Sequence, residues 1–335
     1  MHIESSVTSI SWIPSEAMTG LLRVPVDLGL GHYDDPPPDH IDDLEALRAA
    51  DRFRFANELC AWIEVEDGRV VDAGYSGRGH MGSTTVALGL GHITIPAVSF
   101  PDLRADPVVT ATTATFTQTT GGRTGAPLPR RVTGPPFLKI VAPTVWTTLT
   151  LTLRADGSRE YALSGASKMP RHWIYDDAND LAAKSGIIDF KGWTQESFGD
   201  NTPWGDNDSA AIVTAVETEL ERQLSVQIMR EGKKPKIRRL DTADTLVNQG
   251  DPGAELYLLL DGVLSVEVDG DAVAEVGPGS ILGERALIEG GVRTSTLRAT
   301  TPATVAIARA PDLRPAVLHE LASGHRREHA TIETT

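Results

Sequence analysis

Cysteine is nearly missing: Cys60 is the only one in 335 residues, so no intramolecular disulfide can staple the chain, and the usage suits a reducing compartment. Positive charge is in deficit. Net charge is −15, with 25 acids against 17 bases in residues 1–205 and 21 against 14 in residues 206–335. A general nucleic-acid binder needs concentrated positive surface to neutralise phosphates, and neither part supplies it. No run reaches the ~20 apolar residues of a spanning helix; the best stretches are broken by Lys139, prolines and threonines. The opening Met1-His2-Ile3-Glu4-Ser5 has no basic stretch before an apolar core, so no secretory signal is expected and the protein is placed in the cytoplasm. Also absent are the nucleophile pattern G-x-S-x-G, the metalloprotease pattern H-E-x-x-H and the phosphate-loop G-K-[ST]. What remains, 40% hydrophobic and 23% charged, is the composition of a soluble globular chain, long enough for about two domains of ~150 residues.

The N-terminal part, residues 1–205, reads as α+β dominated by antiparallel sheet. A helix is predicted over Ile41–Ala50, after the Pro36–Pro38 loop. From Phe53 to Leu163 the chain is strand-like. Asp67-Gly68 and Asp156-Gly157 each separate two such runs and predict hairpins, because Asp-Gly tolerates positive φ. Thr110–Thr120 and Thr147–Leu153 alternate at period two, as half-buried strands do. Its chemical signals are thin. Gly77-Arg78-Gly79-His80-Met81-Gly82 matches G-x-G-x-x-G, with Asp102 twenty residues on, but is followed by strand-like Ser83-Thr84-Thr85-Val86. A dinucleotide site needs a helix there, so a glycine-rich hairpin is the better account. The repeated Leu28–His32 and Leu88–His92 pentapeptides have unmatched flanks and no zinc-like spacing, and His40 and His80 are equally unplaced. Cys60 lies in an apolar run and reads as an inert core thiol, and the Trp173, Trp193 and Trp204 region as domain packing or a partner surface.

Residues 206–236 read as an amphipathic helix and a basic hinge. Ile212, Val216, Leu220, Leu224 and Ile228 recur every fourth residue, with Asp208 or Ser209 to cap the helix and Gly232 to end it. Arg230–Arg239 then holds six bases in ten residues and reads as a solvated linker. Residues 237–335 read as a small barrel or jelly roll, with Asp251-Pro252-Gly253, Asp261-Gly262 and Asp269-Gly270 between short strands, followed by a helix over Leu313–Arg327.

One segment carries chemistry: Gly279–Ala299, GSILGERALIEGGVRTSTLRA. Gly283 makes a tight turn, Glu284 opens a short helix with Ala286-Leu287-Ile288, and Gly290-Gly291 ends it. Arg293, Thr294 and Ser295 then enter a strand. A helix start offers unpaired amides, and an arginine with hydroxyls beside it would complete a phosphate cage. A carboxylate at the same place cannot take the phosphate but can accept from a sugar hydroxyl. Together the groups suit a ribose phosphate.

This stretch resembles the phosphate-binding cassette of cyclic nucleotide-binding domains, a Gly-Glu pair, a short apolar helix and then an arginine with small or hydroxyl residues. Upstream, Gly250-x-x-Gly253-x-x-Leu256-Tyr257-Leu258-Leu259-Leu260-x-Gly262-x-Leu264 resembles that family's early strands, and the likeness spans about residues 237–310. The resemblance implies that Glu284 accepts from the ribose 2′-hydroxyl, that Arg293 pairs with the cyclic phosphate, and that the amides of Gly283 and Ala286 and the hydroxyl of Thr294 or Ser295 add contacts. Thr294 also stands where relatives hold a guanine base in syn, which leaves cAMP and cGMP both open. Arg285 departs from the pattern by replacing an apolar residue. Only about one helix follows the roll, so a shortened lid is expected and no DNA-reading helix-turn-helix. The function expected is a non-enzymatic cyclic nucleotide sensor, without catalytic or metal-ligating residues, that signals through residues 1–205 to a protein partner and not to DNA or a membrane. A nucleotide-gated enzyme with its active site in residues 1–205 and a scaffold with a silent roll are the alternatives.

Overall fold

The structure, a computed structural model, describes residues 1–14, 33–88, 91–125, 128–131, 138–168, 171–185, 203–204, 213–214, 219–231, 235–288 and 291–309. It divides into two compact units. The first comprises Met1–Pro14, Met18–Ser185 and Asp189–Val213, and the second is mainly Thr214–Thr335. Among the described residues no helix is long and apolar enough to cross a membrane.

The first unit opens with β1 (His2–Trp12) and α1 (Leu44–Ala49), followed by β2 (Phe55–Glu66), β3 (Arg69–Tyr75), β4 (Arg78–Met81), β5 (Thr84–Leu88) and β6 (Gly91–Ile95). The very short β7 (Val98–Ser99), β8 (Leu103–Arg104) and β9 (Val108–Val109) lead into β10 (Thr113–Arg123). Then come β11 (Leu128–Arg131), β12 (Leu138–Val141), β13 (Thr144–Arg154), β14 (Arg159–Ala166), β15 (Arg171–Tyr175) and β16 (Leu181–Ser185). One antiparallel sheet runs β16-β15-β1-β2-β3, with β4 also on β2; the other runs β14-β13-β10, with β7, β8 and β9 sharing the free edge of β10. Val7, Leu59, Ile63 and Ile174 of the first sheet pack against Phe116, Leu149, Leu151 and Leu163 of the second, which makes a sandwich. Period-two patterning decides which side chains enter it. Ala114, Phe116 and Gln118 are buried between the sheets, while Thr115 and Thr152 pair outside through a 2.9 Å hydroxyl contact.

The predicted helix is present and short: Asp43 caps it by accepting from the amide of Ala46 at 3.0 Å. Asp67 and Gly68 both have positive φ and join β2 to β3 in a two-residue turn. At Asp156-Gly157 only the glycine has positive φ, and the loop spans four residues, with Asp156 accepting from the amide and hydroxyl of Ser158. The G-x-G-x-x-G segment is neither a phosphate loop nor a hairpin of its own. It forms β4 against β2, where a Cβ on Gly77 would lie 2.0 Å from the Glu58 carbonyl and one on Gly82 2.0 Å from that of Phe53. These glycines permit close backbone approach. Cys60 is not in the core: alternation along β2 buries Leu59 and Ala61 and turns Cys60 to the other face, half-buried. Trp173 is core, edge-on to Trp12 at 5.1 Å, whereas Trp204 donates to the Pro101 carbonyl and stacks edge-on against Phe100. Trp193, the first pentapeptide Leu28–His32 and Gly89-Leu90 of the second lie outside the described residues.

The two-residue β17 (Val213–Thr214) stands beside β16 at the edge of the first sheet, and in the second unit α2 (Glu219–Val226) continues into a π-helical turn, Gln227–Glu231. The roll comprises β18 (Lys236–Leu240), β19 (Thr245–Val247), β20 (Glu255–Asp261), β21 (Leu264–Val268), β22 (Asp271–Val276), β23 (Ile281–Leu282), α3 (Glu284–Ile288), β24 (Thr296–Ala299) and β25 (Ala303–Arg309). Two antiparallel sheets, β18-β25-β20-β23 and β19-β24-β21-β22, enclose Leu240, Tyr257, Leu259, Leu264, Leu297 and Val305. The unbroken Leu256–Leu260 run is apolar because β20 is covered on both faces. Leu256, Leu258 and Leu260 meet Leu224, Ile228 and Met229 of the helix, while Tyr257 and Leu259 face the other sheet. Of the predicted stripe at every fourth residue, Leu224 and Ile228 are buried and Leu220 is half-buried. Ile212, Val216, the caps Asp208, Ser209 and Gly232, and the helix over 313–327 lie outside the described residues. Lys236, Arg238 and Arg239, read from sequence as the end of a solvated linker or the start of the barrel, form an exposed edge strand, a placement where charge discourages further pairing.

Candidate functional site

The site begins where β23 ends. Gly283 has φ +88°, a conformation that turns the chain sharply into α3, and the Glu221 carboxylate of α2 accepts from the amide of Ile281 at 2.9 Å just upstream. Glu284 opens the helix with only 6% of its surface exposed, and Ala286 is buried beneath it. The amide of Gly291, itself at φ +80°, donates to the Ala286 carbonyl at 2.7 Å and stops the helix. The chain then runs back along residues 250–253. The Arg293 amide donates to Asp251, the Gly250 amide to Arg293 and the Gly253 amide to Gly291, all between 2.8 and 2.9 Å.

This pairing fixes Arg293 beside the start of β20. The residue is 4% exposed. Its Nη1 donates to the Gly283 carbonyl and its Nη2 to the Tyr257 hydroxyl, both at 3.2 Å, and the guanidinium carbon stands 5.0 Å from the Tyr257 ring centre. Nε is buried without a partner, and no carboxylate of the described residues forms an ion pair with Arg293. Two glycines make the room. A Cβ on Gly253 would fall 2.2 Å from Nε, and one on Gly283 would fall 2.4 Å from Nη1.

Of the residues singled out from sequence, Gly283 and Arg293 meet directly, Glu284 lies buried next to Gly283, and Ala286 is tied in through Gly291. Thr294 and Ser295 follow Arg293, both half-buried, and Arg285 is half-buried as well. Tyr257 and Gly253 carried no expected role. The available signal was a lone hydroxyl-bearing residue within Leu256–Leu260, at a position that alternation turns inward. Burial pushes the Tyr257 phenol above its ordinary range, against the pull of Arg293.

Residues 237–319 match the sequence model of the family described as cyclic nucleotide-binding domain. The second unit carries a cyclic nucleotide-binding domain. Solved structures similar to the chain include the N-terminal domain of a transcriptional regulator from Streptomyces coelicolor A3(2), at 27% identity over 36% of this chain and 91% of that one, TM-score 0.25. A cyclic nucleotide-binding domain from Methylobacillus flagellatus KT is similar at 24% identity over 34% and 70%, TM-score 0.26. The regulatory subunit of a cAMP-independent protein kinase A from Trypanosoma brucei is similar at 17% identity over 33% and 39%, TM-score 0.27.

Outside the cyclic nucleotide-binding domain, the first unit has an open polar cleft of about 550 Å³ between α1 and β4, lined by Glu45, Arg48, Arg78, His80 and Ser83 among others. Its charges satisfy one another. His80 bonds Glu45 through Nδ1 at 2.9 Å and Glu58 through Nε2 at 3.0 Å, and Arg48 and Arg78 both pair with Glu45. Hydrogen bonds from Arg48 and His80 hold the Glu45 carboxyl below its usual range. Cys60 is no nucleophile: burial first, then the charges of Glu58 and Glu4, push its thiol up to about 12. His172 is sealed between the Ser11 hydroxyl (2.6 Å) and the Ser167 carbonyl (2.7 Å), and His40 bonds Asp180 at the surface. No metal-holding cluster of His, Cys, Asp and Glu occurs among the described residues.

Proposed function

We propose that the protein is a cytoplasmic regulatory sensor whose second unit binds cAMP or cGMP and signals allosterically through the first unit to a protein partner. The observation that carries the binding step is Arg293, a 4%-exposed guanidinium with an unpartnered Nε and no ion pair among the described residues. A buried cation without a counter-charge is costly, and an anion seated against it removes that cost. The cyclic phosphate supplies the anion. Glu284, one residue from the Gly283 carbonyl that Arg293 touches, supplies an acceptor for the ribose 2′-hydroxyl, and the amides of Gly283 and Ala286 and the hydroxyls of Thr294 and Ser295 complete the set. The first unit then serves as the output, since among the described residues His40, His80 and His172 are each engaged in hydrogen bonds and the half-buried Cys60 thiol is held protonated.

Titration calorimetry with cAMP and with cGMP tests this. The wild-type chain gives saturable heat with at least one of them. Arg293→Leu loses about 100-fold or more in affinity, the scale of two or three charge-assisted hydrogen bonds, while circular dichroism shows the fold retained. Absence of heat with both nucleotides on folded wild type refutes the reading.

A further inference from the structure

We infer that Tyr257 is a positioning residue of the nucleotide site: it holds the Arg293 guanidinium in place before the ligand arrives, and Glu255 steadies it in turn. The inference rests on the cyclic nucleotide reading of the same site and adds to it a residue that touches the arginine and not the ligand. Tyr257 is 4% exposed and sits in a row of leucines, where a hydroxyl needs a partner to be tolerated. It has two. Its oxygen accepts from Arg293 Nη2 at 3.2 Å, and its own proton goes to Glu255 Oε2 at 3.3 Å. The ring lies 5.0 Å from the guanidinium carbon, so the aromatic face and the hydroxyl both engage the same cation.

Position makes this contact directional. Tyr257 projects from β20 on the roll-interior face, while the Gly283 carbonyl takes Nη1 at the other end of the fork. Gly253 and Gly283 clear the intervening space, since a Cβ on either would strike the guanidinium. Arg293 is thus held at two nitrogens by β20 and by the turn into α3. A flexible arginine fixed in this way loses less freedom on binding, which raises affinity without a new ligand contact. The relay to Glu255 also leaves the arginine's charge uncancelled, because no carboxylate of the described residues reaches it directly.

The experiment is a double-mutant cycle on the full chain, read by cAMP and cGMP calorimetry with melting temperature as the fold control. Tyr257→Phe keeps the ring and removes the relay. It is expected to weaken nucleotide binding about ten-fold, the worth of one hydrogen bond to a charged group. In an Arg293→Lys background the same change is expected to cost nothing, since lysine cannot span Gly283 and Tyr257 as the fork does. A role in packing alone predicts equal losses in both backgrounds. Glu255→Gln, which leaves the core intact, is expected to reproduce part of the loss and stands in if Tyr257→Phe melts early. Wild-type binding with unchanged affinity in both variants overturns the Tyr257 assignment and leaves the nucleotide reading standing, as does tighter binding in Tyr257→Phe. A folded wild type that binds neither nucleotide removes the nucleotide reading, and the Tyr257 assignment with it.

Discussion

A glycine is often treated as a loosened joint, yet Gly253 acts here as the absence of an obstacle. It has ordinary backbone geometry, and only the Arg293 side chain forbids a methyl group on it. Gly253→Ala is therefore expected to displace the guanidinium, reducing nucleotide affinity more than ten-fold while costing the fold only the ~1–3 kcal/mol of local overpacking; calorimetry and urea unfolding of one sample separate the two effects. His172 supplies a residue-scale prediction for the first unit. Complete burial lowers its pKa from 6.5 to about 4, so the native state holds it neutral while the unfolded chain protonates it near 6.5. Its stabilising contribution is whole above pH 6.5 and is lost progressively as pH falls toward 4, with ~3 kcal/mol lost below that. His172→Gln should flatten the urea midpoint across that interval, and an unchanged slope would show that the titrating group lies elsewhere. Sequence patterning exposed the Glu284–Arg293 spacing because both residues lie on one short segment. It gave no warning of Tyr257 or of the burial of His172, because those follow from strands brought together across long separations.

At the scale of elements, local turn chemistry and alternation were legible and glycine patterns were ambiguous. Asp67-Gly68 could be read because both turn residues need positive φ, and both have it. Residues 77–82 match the spacing of a dinucleotide loop and read as a glycine-rich hairpin, but the glycines admit strand β4 beside β2. These two uses separate under mutation. Nothing lies within 4 Å of a Cβ on Gly68, so Gly68→Ala pays only for backbone conformation, about 1 kcal/mol. At Gly77 the Cβ meets the Glu58 carbonyl at 2.0 Å, and backbone cannot step aside as a side chain can. Gly77→Ala is expected to unpair β4 and cost at least 3 kcal/mol. Equal losses in the two variants, measured by urea unfolding of the first unit, would contradict this division. Cys60 shows the limit of reading runs instead of alternation: an apolar stretch suggested core, whereas period two along β2 turned the thiol away from it.

For the whole molecule, each unit has its own core and its own lever. The sandwich centres on Leu59, Phe116 and Leu149 and carries the buried His172; the roll centres on Tyr257, Leu259 and Val305 and carries the proposed nucleotide site. A ligand that binds only the native roll stabilises it by about 2.7 kcal/mol at a hundred times its Kd. Scanning calorimetry with nucleotide should therefore show a higher melting temperature for the second unit, corresponding to that stabilisation, while acidification from pH 7 to 5 lowers the melting temperature of the first. Signalling requires more than this separation. If the first unit is the output, it must distinguish the bound from the free roll, and by linkage its own partner must alter nucleotide affinity by the same factor. The segment to watch is residues 219–231, where Glu221 holds the strand that leads into Gly283 and Leu224, Ile228 and Met229 cover β20. Nucleotide should slow amide exchange there and also alter exchange in at least one strand of the first unit. Slowing confined to residues 235–309 would reduce the protein to a nucleotide binder without a transmitted signal.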